Sequence, residues 1–272
     1  MSVTTHLMGG MGNQMFQYAT GLALARRLGT DLRLDVSSFS NDGMRRYSLG
    51  LWHGVTAPKV TSMNGTVVRE QGMPYNPGLF EHVPRECSLY GYWQCERYFV
   101  ELEAELQERF TPGTPLPTFH QEMLRQIKDA GSRSAFLTIR RTDYVGNSFH
   151  GELPHDYYLK AAELVAARVS DPIFFVFSDD PGWVLENFRL PYRTVVAGNY
   201  DRTVRDHLGR EDAELYLMSQ CQHAVMANSS YSWWGAWLNP DHDRVVVAPK
   251  AWFGPTGTED PRDIVPNRWL RI

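Results

Sequence analysis

Phe136-Leu137-Thr138-Ile139-Arg140-Arg141-Thr142-Asp143-Tyr144 constrains the fold of this chain more than any other stretch. Its apolar and β-branched start predicts a buried strand, and two adjacent arginines stand at the carboxyl end. Guanidinium groups beside a sheet are costly unless an anion meets them. Their planar forks suit phosphate oxygens, which accept two parallel N–H bonds. In open α/β sheets, ligands bind in the crevice beyond the carboxyl ends of the strands. An internal ion pair, Arg141 with Asp143 for instance, accounts for the charges as well, so this segment alone leaves both readings open.

The same grammar runs through the chain. Residues 3–8 predict a strand, Gly9-Gly10-Met11-Gly12 a tight loop, and residues 13–28 a helix ended by Gly29. Residues 32–36 alternate as a second strand, completing a β-loop-α-β unit whose glycine-rich turn sets backbone N–H groups at a helix start. Residues 41–80, rich in Gly, Pro and polar side chains, predict loops and small elements, and residues 101–109 a helix. Three prolines within residues 111–117 block helix and central strand alike and mark a linker. Beyond it, strands are expected at 135–139, 173–177, 224–227 and 245–248. Helices are expected near 120–130, at 157–169 and at 211–221. This alternation predicts an α/β fold with parallel sheets, helices on both faces and a ligand cleft between two domains. The boundaries are residues 1–117 and residues 118–272. The last residues are left free to pack back on the first domain.

Bulk properties exclude several classes. A net charge of −4 lacks the basic face that a nucleic-acid partner requires. Cys87, Cys95 and Cys221 are odd in number and without CxxC spacing, which gives neither a disulfide framework nor a zinc site and fits a reducing compartment. No apolar run approaches the ~18–20 residues that span a bilayer, and residues 1–6 lack the features of a signal peptide. A cytoplasmic protein with no transmembrane segment is expected, with peripheral membrane association left open.

Three further constellations carry chemistry. Gly10 and Gly12, with Asp35 about 20 residues on, suggest a dinucleotide fingerprint, but its third glycine would fall at Met15. The alternatives are a structural turn, or Gly10, Gly12, Asn13 and Gln14 presenting backbone and amides to a substrate. Ser178-Asp179-Asp180 ends an apolar strand. One aspartate can cap the next helix, with Pro181 in its first turn, while the other could accept the two N–H donors of a guanine edge or hold Mg²⁺. Ala227-Asn228-Ser229-Ser230-Tyr231-Ser232-Trp233-Trp234 opens a helix with hydroxyls and free N–H groups, a ready phosphate site, although a plain N-cap also explains Asn228 or Ser229. Together these strand ends suit a nucleoside diphosphate: Arg140 on phosphate, Asp179 or Asp180 on the base, and residues 229–232 on the pyrophosphate.

At this point the chain resembles glycosyltransferase family 11. The resemblance rests on residues 9–18, Gly91-Tyr92-Trp93-Gln94, residues 139–144, Phe177-Ser178-Asp179-Asp180 and residues 228–239, in order over most of the chain. It implies a GT-B architecture of two Rossmann-like domains. It also implies inverting, metal-independent transfer of L-fucose from GDP-L-fucose, a co-substrate, to the 2-hydroxyl of a terminal β-galactoside, by a bacterial-type catalytic domain. Carried over, it puts Arg140 on the diphosphate as the principal catalytic residue and an acid of the 179–180 pair on guanine. Asn228, Ser229 and Ser230 would lie near phosphate. Thr138 departs from the pattern, which usually has His there.

For the proton of the acceptor hydroxyl, Asp143, Glu81, Glu96 and His82 are candidates, and Asp143 is equally a partner for Arg141. Competing functions are a fucosyltransferase of another linkage, a dinucleotide-binding α/β protein, and a non-catalytic sugar binder using the aromatics around Trp93 and Trp233.

Overall fold

A computed structural model of the chain describes residues 1–40, 45–197 and 210–272. Residues 1–113 with 259–266 form one compact unit, and residues 114–258 with 267–272 another. The change of unit falls inside the proline-rich stretch.

The first unit begins with β1 (Ser2–His6), α1 (Met11–Leu28) and β2 (Asp31–Asp35). It continues with β3 (Lys59–Val60), β4 (Thr66–Arg69), β5 (Cys87–Tyr90) and α2 (Glu103–Arg109). The strands make a parallel sheet in the order β3-β2-β1-β5-β4, so β1 is central. Gly9 turns the chain with φ +76°, and Gly29 closes α1 at φ 59°, a left-handed conformation that glycine adopts without a Cβ penalty. The close approach of helix to sheet occurs at Gly21, where a Cβ would overlap the Thr5 hydroxyl and press on Leu32. Position 15, where the dinucleotide fingerprint would need a glycine, holds a fully buried Met15.

The second unit comprises α3 (Thr118–Ala130), β6 (Ser134–Ile139), α4 (His155–Ala166) and β7 (Ile173–Ser178). After these come α5 (Pro181–Asn187), β8 (Arg193–Val196), α6 (Glu211–Gln220) and β9 (His223–Val225). The unit ends with α7 (Ser230–Trp237), β10 (Val246–Ala248) and β11 (Leu270–Arg271). Its sheet is parallel throughout, in the order β11-β10-β9-β6-β7-β8. All six residues of β6 are buried, as expected of a central parallel strand with both faces covered. Ala135, Leu137 and Ile139 share a core with Tyr157, Ala161 and Val165 of α4 and with Phe174 and Val176 of β7.

Residues 41–80 are mostly irregular, as their composition suggests, though 41–44 lie outside the described residues. The sheets gain β3, β4, β5, β8 and β11, which are short; β4 and β8 are largely exposed or half-buried. Two parallel α/β sheets, each flanked by helices, are two Rossmann-like folds.

Candidate functional site

The site in the second unit follows from strand register. β6 pairs with β7 so that Ile139 faces Ser178, which brings Arg140 and Arg141 beside Asp179 and Asp180. On its other side β6 pairs with β9, Leu137 facing Val225, so the loop leading into α7 lies against the same strand end. The Thr138 hydroxyl ties this junction together by accepting the Ala227 N–H at 2.8 Å.

Alternation along an extended chain sends the two arginines apart. Arg140 donates from Nη2 to Asp143 Oδ1 at 2.5 Å and approaches Asp179 Oδ2 at 3.3 Å through Nη1. Its guanidinium carbon lies 5.1 Å from the centroid of the Tyr144 ring, whose hydroxyl donates to the Asn228 carbonyl at 2.9 Å. Burial works against the Arg140 charge, and Asp179 and Asp143 outweigh it, holding the proton more tightly than in free arginine. Its Nε is buried without a hydrogen-bond partner among the described residues. Arg141 instead stacks on Trp183, 3.7 Å from the ring centroid, and donates to Glu152 at 2.9 Å. The ion pair that competes with the phosphate reading thus forms differently from Arg141 with Asp143: Asp143 holds Arg140, and Glu152 takes Arg141. Glu152 and Trp183 carried no signal in the sequence, because each meets Arg141 only through the fold.

Asp179 organises the loop. Oδ1 accepts the Arg141 N–H at 2.9 Å, and Oδ2 accepts the Thr142 hydroxyl at 2.8 Å. Asp180 caps α5, its Oδ1 accepting the Trp183 N–H at 3.1 Å, with Pro181 opening the helix. Asp180 Oδ2 stands 3.8 Å from Arg141 Nε, and the side chain is 43% exposed.

Asn228 is a brace. Its Nδ2 serves the carbonyls of His150, Gly151 and Trp252, and the His150 ring stacks on Tyr144 at 4.9 Å. Ser229 is the N-cap of α7 but makes no side-chain capping bond, Ser230 begins the helix, and the buried Ser232 Oγ has no partner among the described residues. Trp233, Trp234 and Trp237 are all fully buried, as is Trp93 in the first unit. An indole sealed in a core offers no face to a sugar, so Trp93 and Trp233 themselves cannot serve the sugar-binder reading, while Tyr92 beside Trp93 is exposed.

Gly10, Gly12, Asn13 and Gln14 belong to the first unit, and the arginines, aspartates, Asn228 and serines to the second. Gly10 precedes α1 and Gly12 lies in its first turn. Gln14 is buried and spends its amide on Gly9, Arg46 and Ser48 backbone. Asn13 accepts from Gln94 at 2.7 Å. Nearby, the Glu70 carboxylate accepts the N–H groups of Tyr92 and Trp93 at 2.6 and 2.9 Å, and Trp93 has φ 58°. Burial, opposed by those two donors, pushes the Glu70 carboxyl up to about 7 from the ordinary value of 4.5. An acid raised in this way stabilises the fold below its ordinary value and loses that contribution as pH rises through the folded one. Urea titrations should therefore show stability falling between about pH 4.5 and 7, with Glu70→Gln flattening that slope.

Among the described residues, no group of three or more His, Cys, Asp or Glu side chains is placed to hold a metal ion, and no helix is long and apolar enough to cross a membrane.

The model of glycosyl transferase family 11 matches residues 80–272. An alpha-1,2-colitosyltransferase of Escherichia coli is 30% identical over 99% of this chain and 98% of its own length. Galactoside alpha-(1,2)-fucosyltransferase 2 of Bos taurus is 30% identical over 86% of this chain and 68% of its own. The crystal structure of the fucosyltransferase NodZ from Bradyrhizobium superposes with a TM-score of 0.52 at 12% identity, covering 88% of this chain and 93% of that one, a likeness of fold.

Proposed function

This chain belongs to glycosyl transferase family 11, and on that footing we propose that it transfers L-fucose from GDP-L-fucose, with inversion, to the 2-hydroxyl of a terminal β-galactoside. The observation that carries the reading is Arg140, a guanidinium fixed at the carboxyl end of β6 between Asp143 and Asp179, with a buried Nε that has no partner among the described residues. Breaking the fucose–phosphate bond leaves negative charge on the β-phosphate of GDP and oxocarbenium character on the sugar. A pre-positioned guanidinium meets the departing charge without reorganisation, and for that reason we expect transfer to proceed in EDTA. In this reading Asp143 and Asp179 are positioning residues for Arg140, and Arg141 shapes the pocket wall with Trp183. The hydroxyls of Ser229, Ser230 and Ser232 and the N–H groups of the α7 start serve the pyrophosphate, with Asn228 bracing the loop. Gly10, Gly12 and Asn13 serve the acceptor side, and Gln14, whose amide is spent on the backbone of Gly9, Arg46 and Ser48, braces that loop. The relatedness to an α-1,2-colitosyltransferase supports one second reading, in which colitose replaces fucose as the transferred sugar. Three free, buried cysteines fit work in the reducing cytoplasm.

Guanine recognition falls to Asp180, because both Asp179 oxygens are already bound to the loop. Asp180→Asn keeps a good N-cap but replaces a carboxylate acceptor by an amide. Loss of one charge-assisted pair is about 1.5–3 kcal/mol, or roughly 10–100-fold in GDP affinity. Calorimetry of GDP and ADP binding in EDTA tests both levels. Tight GDP binding that Asp180→Asn weakens without lowering the melting temperature supports the reading. Wild-type protein that does not prefer GDP contradicts the donor assignment, and an unchanged GDP affinity in Asp180→Asn contradicts the residue.

A further inference from the structure

We propose that His6 takes the proton of the acceptor hydroxyl, with Asp35 as its positioning residue; the proposal rests on the transfer reaction proposed above. His6 ends β1, the central strand of the first sheet, at the carboxyl edge where α/β folds gather ligands. Register places it beside Asp35 of β2, and its Nδ1 lies 2.8 Å from Asp35 Oδ2. Asp35 is 1% exposed. Its other oxygen accepts the Ser37 N–H at 3.0 Å, so the carboxylate is held in place. On the β5 side, the Tyr90 ring stacks on the imidazole at 5.1 Å and 22°, and Arg69 covers that ring at 4.5 Å.

A carboxylate fixed on Nδ1 keeps the proton there and leaves the lone pair on Nε2, the tautomer a base needs. Nε2 itself makes no hydrogen bond among the described residues, and the side chain is 12% exposed. A purely structural staple between β1 and β2 has little left to do, since the ladder is already extended by Leu7 N–H to the Asp35 carbonyl at 2.9 Å. Of the base candidates read from the sequence, Asp143 is engaged with Arg140, and Glu81 and His82 lie exposed on the surface. Amides of Asn13 and Gln94 and the exposed Tyr92 ring belong to the same unit and supply groups of the kind that bind sugar hydroxyls.

In the step itself the acceptor O–H proton passes to His6 Nε2 while the oxygen forms its bond to fucose C1. The bond from C1 to the β-phosphate oxygen breaks, GDP leaves with the electron pair, and His6 later returns its proton to water.

His6→Asn tests this, because the amide nitrogen can still donate to Asp35 while no base remains; His6→Ala leaves room for added imidazole. With saturating GDP-fucose and lactose, kcat should fall about 10²–10⁴-fold in both variants, the usual worth of a positioned base. GDP affinity should stay within about twofold of wild type, since no chemistry is involved. Imidazole should restore part of the His6→Ala rate. Asp35→Asn should lower kcat with little change in KM for lactose. Transfer by His6→Asn at more than a third of the wild-type kcat would overturn the assignment, and so would a loss accompanied by equal loss of GDP binding without imidazole rescue. Wild-type protein that binds GDP but transfers nothing would overturn the underlying reaction instead.

Discussion

Replacing Arg140 by alanine is expected to lower the transfer rate by about 10²–10³-fold, the range found when one preorganised donor to developing negative charge is removed. The fold should persist. Asp179 keeps the Arg141 amide and the Thr142 hydroxyl in the variant, and both acids that lose their partner are part-exposed, 36% for Asp143 and 18% for Asp179. Arg140→Lys keeps the charge but not the fork, so it should recover only part of the loss. Steady-state rates beside melting curves separate the two effects: a folded variant retaining more than about a tenth of wild-type activity would remove Arg140 from the leaving-group role, given the size of that range.

The largest effect on stability is expected at Trp234. It is fully buried, and its ring packs 5.1 Å from both Trp233 and Trp237. Truncating a buried aromatic to alanine costs about 3–5 kcal/mol, a large share of the roughly 5–15 kcal/mol that holds a domain together. Urea unfolding of Trp234→Ala should show a lower midpoint at an unchanged slope. A midpoint within error of wild type would mean that the α7 tryptophans do not anchor the second unit.

The sequence showed most clearly what is buried on both faces. β6 and β7 are continuous apolar runs because helices cover both sides of a parallel sheet, and the polar residues that end them, Arg140, Asp179 and Asp180, stand out against such runs. β4 and β8 are not legible in the sequence, because a short, mostly exposed or half-buried strand offers only a valine pair and no continuous apolar run. The partner of Asp143 was also beyond sequence: Arg140 lies three residues away and Arg141 two, and only backbone direction decides between them. Asp180 illustrates the opposite case, since an acid before Pro181 at a strand end signals a cap, and the cap is present. His6 carries no mark of a base in the sequence, because its meaning comes from two neighbours that the strand order β2-β1-β5 supplies, Asp35 at 29 residues' separation and Tyr90 farther still. The dinucleotide spacing puts the close-packing glycine at position 15, whereas α1 meets β1 at Gly21.

The most direct measurement of the central claim is mass spectrometry of lactose incubated with GDP-fucose and the purified protein in EDTA, followed by NMR of the linkage. A product heavier by one deoxyhexose, joined α-1,2 to galactose, is the predicted result. No product and no release of GDP, from protein shown to be folded, would contradict it.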